Sequence, residues 1–226
     1  MIGAGWLAAT VALYAAAAAL HRRAPVALLS PLLTVPAALA AALLAGRVPY
    51  RAYMGGGRWL ADLLGPTTVA FAVPLWRSRD LLRRHARELS AGLLAGCAVA
   101  VGSSVELARM AGLDGLLVAS LAPRSITTPL AMEVATRLGG SPALAAVFVI
   151  ATALVGLVLG DLGIRHLPLR SPLARGALLG MGAHGAGTAQ ALALGPVEGA
   201  IAGLTMIFAG LLVIAAVPAI RLLIHA

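Results

Sequence analysis

Arg124 stands in Ala122-Pro123-Arg124-Ser125-Ile126-Thr127-Thr128-Pro129, and it is the only ionisable residue between Asp114 and Glu133. A charge set in apolar surroundings is costly at membrane depth, where such residues line substrate and ion pathways. The guanidinium is a planar fork that matches a carboxylate through two parallel hydrogen bonds. Ser125, Thr127 and Thr128 add hydroxyls just before Pro129, a residue suited to the first turn of a helix. A helix start offers free N–H groups and the positive end of its dipole to an anion. Together these residues predict a site for a small carboxylate. The competing reading is an arginine that snorkels to the interface from a short loop.

Two other groups could move protons. His184 lies in Met181-Gly182-Ala183-His184-Gly185-Ala186-Gly187-Thr188. Imidazole exchanges a proton near neutral pH, and Gly185 and Gly187 allow backbone to approach a ligand closely. Glu133 follows Thr128 by five residues. If buried it is a proton carrier; if not, it pairs with Arg124 or with Arg137 four residues on. Thr67 and Thr68, after Gly65-Pro66, and Thr188 complete the candidate hydroxyls. They serve the substrate or tie off helix-end carbonyls. No second histidine or carboxylate lies at ligand spacing from His184, so no metal site is expected. No cofactor motif, phosphate loop or Ser-His-Asp spacing appears, and no enzyme activity is expected.

The elements that must hold these groups are membrane helices. The 226-residue chain is 61% hydrophobic, and Met1–Leu20, Ala24–Gly46, Leu138–Gly160 and Gly199–Ile220 carry no Asp, Glu, Lys or Arg. Each approaches the roughly 20 residues that cross a bilayer as a helix. Leu89–Val105 is a fifth such run. All 17 basic residues are Arg, and the net charge is +9. Arginine-rich loops orient a polytopic chain on the cytoplasmic face. Aromatics make up 4% of the chain and do not interleave with the basic residues, so nucleic acid is excluded as a partner. Cys97 is single, which rules out an intrachain disulfide.

The expected class is an all-α polytopic membrane protein. About five full transmembrane helices, near 4–20, 26–45, 89–110, 142–164 and 197–222, alternate with three broken or re-entrant segments. The whole chain forms one integral domain. Its two N-terminal helices, 1–50, act as a scaffold, and 51–226 form a broken-helix transport core. Pro31 and Pro36 kink the second helix. The breaks fall near 64–68, 122–128 and 184–188, with Thr68, Thr128 and Thr188 at offsets of 60. Internal duplication and coincidence both explain that period. Whether the broken segments cross or re-enter stays open; the arginine distribution mildly favours re-entrance.

The same strings carry a family resemblance. Tyr53-Met54-Gly55-Gly56, Leu64-Gly65-Pro66-Thr67-Thr68-Val69-Ala70, Ser120-Leu121-Ala122-Pro123-Arg124-Ser125 through Glu133, Ser171-Pro172, and His184-Gly185-Ala186-Gly187-Thr188-Ala189 resemble the LrgB family, also called CidB-like. The resemblance covers nearly the whole chain from about residue 25. Lys is common in that family at Arg124, Ser precedes the histidine where this chain has Ala183, and Arg or Lys is frequent at Gln190. The resemblance implies one of two roles in a bacterial cytoplasmic membrane. One is antiholin-like control of murein hydrolase export and lysis beside a small LrgA-type partner. The other is movement of glycolate, glycerate, lactate or pyruvate, as in the plastid translocators. Homodimers are common among such carriers. The charge in a helix break suits transport better than a pore, which needs only an amphipathic helix face.

Overall fold

The computed structural model describes residues 2–24, 29–63, 66, 69–70, 72–77 and 79–225, and among them every regular element is a helix. The chain forms two compact units, Met1–Val69 and Ala70–Ala226. The first contains α1 (Ile2–Arg23), α2 (Pro31–Ala45) and α3 (Tyr50–Asp62). Gly3 of α1 meets the backbone of Gly55 and Gly56, where a Cβ would collide. Trp6 packs edge-on against Tyr53 with ring centroids 5.9 Å apart. These contacts place Tyr50–Asp62 in the first unit. Pro31 does not kink α2 but starts it, with the Ser30 hydroxyl accepting from the Leu32 N–H at 3.3 Å. Only Pro36 lies inside that helix.

The second unit contains α4 (Ala72–Arg77), α5 (Arg79–Arg84), α6 (Ala86–Met110), α7 (Gly115–Leu121), α8 (Thr128–Leu138), α9 (Pro142–His166), α10 (Pro172–Leu194), α11 (Pro196–Ala215) and α12 (Val217–His225). Four described helices are long and apolar enough to span a membrane: Gly3–Arg23, Ala86–Met110, Pro142–His166 and Pro196–Ala215. The protein is therefore a multi-pass membrane protein, with two departures from the expected five full helices. As described, α2 has 15 residues, or about 23 Å of rise against a hydrocarbon core of about 30 Å. The helix expected over 197–222 stops at Ala215. Pro218 has no N–H to offer the Ile214 carbonyl, and the Ala216 N–H takes up the Leu212 carbonyl at 2.9 Å.

Two broken segments are re-entrant hairpins. In the first, Asp114 caps α7 by accepting from the Leu117 N–H at 2.8 Å. The chain turns through 122–127 and returns as α8. Gly139, at φ 84°, ends α8, and the Gly140 N–H bonds back to the Ala135 carbonyl at 2.8 Å. That is a Schellman-type stop. The Ser141 N–H then reaches the Ser120 hydroxyl at 2.7 Å, tying the base of the returning limb to α7. Gly140 lies so close to the α7 backbone that a Cβ would strike Ser120.

The second hairpin lies within α10, which reverses at one residue. His184 has φ 50° and ψ −124°. Gly176 packs against Glu198 and Ile201, and Gly180 against Ala202 and Thr205, so the limb before His184 runs parallel to α11. Leu192 packs against Gly199, and the Thr188 hydroxyl reaches the Met206 sulfur at 3.9 Å. The limb after His184 therefore runs antiparallel to α11, and the two limbs fold back on each other. The first hairpin enters from the end where α6 finishes and α9 begins. The second enters from the opposite end, where α9 finishes and α11 begins. Each is followed by a full helix, α9 or α11. A hairpin-plus-helix unit thus occurs twice in opposite orientation, as in transporters built from inverted repeats. The 60-residue offset matches Arg124 with His184 and Thr128 with Thr188. The first expected break, at 64–68, falls largely outside the described residues.

Candidate functional site

The first hairpin tip is built into the core of its unit. Ala122 is 0% exposed and Ile126 1%, packed among Val105, Ala131 and Val134. This apolar anchorage fixes Arg124 between two spanning helices. Its Nε donates to the Ser104 hydroxyl of α6 at 2.7 Å, and its Nη1 to the Thr152 hydroxyl of α9 at 3.4 Å. Ser104 in turn donates to the Ala100 carbonyl at 2.5 Å, which leaves its lone pairs for the guanidinium. Ser104 lies six residues inside the end of α6 and Thr152 ten inside the start of α9. At 1.5 Å per residue these are depths of about 9 and 15 Å. No carboxylate pairs with Arg124 among the described residues. A guanidinium has five N–H bonds, so three remain for another group.

Arg124 and Ser125 line the inner end of a cavity of about 940 Å³ that runs along α6, α9 and the first limb of α10. His184 is 3% exposed, and neither ring nitrogen has a well-formed hydrogen bond to another described residue. The imidazole lies within reach of the Ser125 backbone, so the two hairpin tips meet. Thr127 is also buried, with its hydroxyl unpartnered. Each buried polar group left unpaired costs about 1–3 kcal/mol. Such groups in a native fold call for an explanation, and an ordered water, ion or ligand is one.

The other sequence candidates distribute around this centre. The Thr188 hydroxyl donates to the His184 carbonyl at 2.9 Å, tying off the reversal. Gly187 is buried and packs against the Leu179 backbone, and Gly185 is exposed. Thr128 opens α8 and is partly buried. Glu133 is not the buried carboxyl that proton carriage required. It is 53% exposed and paired at 2.8 Å with Arg137, because four residues of helix bring the two side chains to one face. Thr67 and Thr68 lie outside the described residues. Ser104 and Thr152, which hold Arg124, were not singled out in the sequence. Their signal is a hydroxyl in the middle of an otherwise apolar span.

The LrgB-like family model matches residues 10–223. The chain belongs to the LrgB-like family. Two Bacillus subtilis (strain 168) proteins are similar to it along most of their length. One is called "Uncharacterized protein YwbG", 43% identical over 217 residues, or 96% of each chain. The other is "Uncharacterized protein YxaC", 38% identical over 197 residues, 87% of this chain and 86% of that one. No solved structure matches the chain. In this LrgB-like protein the family strings around Arg124 and His184 form the two tips that meet inside the second unit.

Proposed function

We propose that this protein carries small monocarboxylates across the bacterial cytoplasmic membrane, with Arg124 pairing the carboxylate. The observation that supports this most is the state of Arg124. It sits at a re-entrant tip, held by two neutral hydroxyls, unmatched by any acid among the described residues, at the inner end of a cavity. Arg124 is half-buried, and a charge at membrane depth without a counter-ion is expensive; a substrate carboxylate completes the pair. Glycolate, glycerate, lactate and pyruvate all carry that group. Ser125, Thr127 and Thr128 add polar contacts at the first tip, and His184 is the remaining candidate for proton coupling. Inverted hairpins entering from the two sides suit alternating access around a fixed site.

The cavity's outer end lies where α6 begins and α9 finishes. Arg79, Arg83, Arg84, Arg87, Arg165, Arg170 and Arg175 gather at that end of the unit, against Arg109, Arg137 and Arg221 at the other. By the positive-inside rule that end is cytoplasmic, and the cavity is an inward-facing vestibule. A homodimer, or a small LrgA-type partner, is the proposed assembly.

The test is uptake of labelled glycolate and pyruvate into proteoliposomes, with and without a pH gradient, for wild type and Arg124→Ala. Saturable uptake that the folded variant loses supports the carrier. No uptake by folded protein, alone or with an LrgA-type partner, overturns it in favour of a lysis regulator.

A further inference from the structure

The cavity is larger and less polar than a two- or three-carbon acid requires. Its volume of about 940 Å³ equals that of about thirty waters in the liquid and lies at the upper end of small-molecule pockets. Polar residues line its two ends. Arg124, Ser125 and Thr152 stand at the inner one, and Glu88 and Ser171 at the outer one. Between them the wall is apolar, as with Leu93, Ala151, Val155, Leu159, Ala177 and Leu178. Thr205, also on the wall, spends its hydroxyl on the Ile201 and Ala202 carbonyls at 2.9 and 3.0 Å. From Thr152 to Gly160 this apolar stretch follows α9 for eight residues, or about 12 Å. Two glycines on its wall face open space. A Cβ at Gly92 or at Gly182 would meet no atom within 4 Å.

We infer that the cavity binds the apolar tail of a carboxylate whose head is on Arg124, so that monocarboxylates bearing an unbranched alkyl chain bind more tightly than the hydroxylated acids. The inference rests on the carboxylate reading of Arg124 given above. Each methylene moved from water into such a wall strengthens binding about fourfold. A substrate hydroxyl on the apolar stretch loses its water without gaining a partner, at a cost of roughly tenfold.

The experiment measures ligand-induced thermal stabilisation of the purified full-length protein in detergent. The probes are pyruvate, 2-oxobutanoate, 2-oxohexanoate, glycerate and, as the uncharged control, 1-hexanol. The expected result is apparent affinity rising about fourfold per methylene from pyruvate to 2-oxohexanoate, with glycerate weakest of the acids and no stabilisation by hexanol. Gly92→Leu should weaken 2-oxohexanoate at least tenfold more than pyruvate, and Gly182→Ala should do so to a lesser degree. Both exchanges put better helix formers at uncrowded positions, which keeps folding out of the comparison. Affinity that is flat or falls with chain length overturns the tail site, as does equal weakening of all acids by Gly92→Leu. Stabilisation by hexanol equal to that by 2-oxohexanoate, or by phosphatidylglycerol alone, likewise overturns it and marks the cavity as a lipid slot. In all these cases pyruvate binding that depends on Arg124 still upholds the carboxylate site. Binding of every acid unchanged in Arg124→Gln sinks both.

Discussion

The two hairpin tips solve the same problem differently. Each must break a helix inside a membrane, where unpaired backbone groups are costly. The first tip spreads its turn over 122–127. The Arg124 N–H bonds the Leu121 carbonyl at 3.0 Å, and the Ile126 N–H bonds the Pro123 carbonyl at 3.3 Å. It buries apolar side chains around itself and holds its charge with hydroxyls from two spanning helices. The second tip reverses at one residue, His184, in a backbone region that L-residues rarely adopt. It leaves the imidazole buried with no well-formed hydrogen bond to another described residue. The first tip is a supported anchor for a charge. The second is strained, a condition that collects at ligand clamps and switch regions. On the proposed carrier reading, substrate pairing falls to the first tip and movement, with any proton, to the second.

The sharpest way to break this contrast is to remove the charge. Arg124→Ala should abolish carboxylate uptake, a loss of a hundredfold or more, as the charged hydrogen bonds to substrate disappear. Arg124→Lys should retain part of the activity, because it keeps the charge and loses the fork. Uptake kinetics at matched reconstitution levels check both. Unfastening the arginine comes next. Ser104→Ala should raise KM roughly tenfold, and Thr152→Val less, since the first bond is 2.7 Å and the second 3.4 Å. Equal effects would mean that Thr152 acts on the substrate itself.

The second tip is tested through its backbone. Glycine is about 1 kcal/mol worse than alanine inside a helix, whereas a positive φ favours glycine. His184→Gly should therefore unfold at a higher temperature than His184→Ala, while both lose whatever pH dependence of uptake the wild type has. If alanine is the more stable, the reversal is not strained. Glu133→Gln should change least. It removes an exposed ion pair with Arg137, worth about 0.5 kcal/mol or less, and should leave the response to a pH gradient intact. A lost response would return Glu133 to the coupling role that its exposed position argues against.

The sequence made the breaks visible because helix-terminating and hydroxyl residues stand out against apolar runs. Pro123-Arg124-Ser125 and the glycines around His184 were legible for that reason, and both fall at tips. The direction of the chain beyond each break was less legible. Crossing and re-entry have the same local composition and differ only in contacts such as Gly180 with Ala202 or Ser141 with Ser120. The end of α11 at Ala215 was hidden inside an apolar run, although Pro218 marks it. Ser104 and Thr152 were missed because a lone hydroxyl in a spanning helix usually bonds its own backbone. Here Ser104 and Thr152 accept from an arginine 20 or 28 residues away in sequence.

The most direct test of the central claim pairs a change in the ligand with a change in the protein. Binding of pyruvate and of its uncharged amide, pyruvamide, would be measured calorimetrically on the purified wild type and on Arg124→Ala. The account predicts that the wild type prefers pyruvate at least tenfold and that the variant binds the two alike. A variant that keeps the full preference for pyruvate would contradict it, and the carboxylate would have to be held elsewhere.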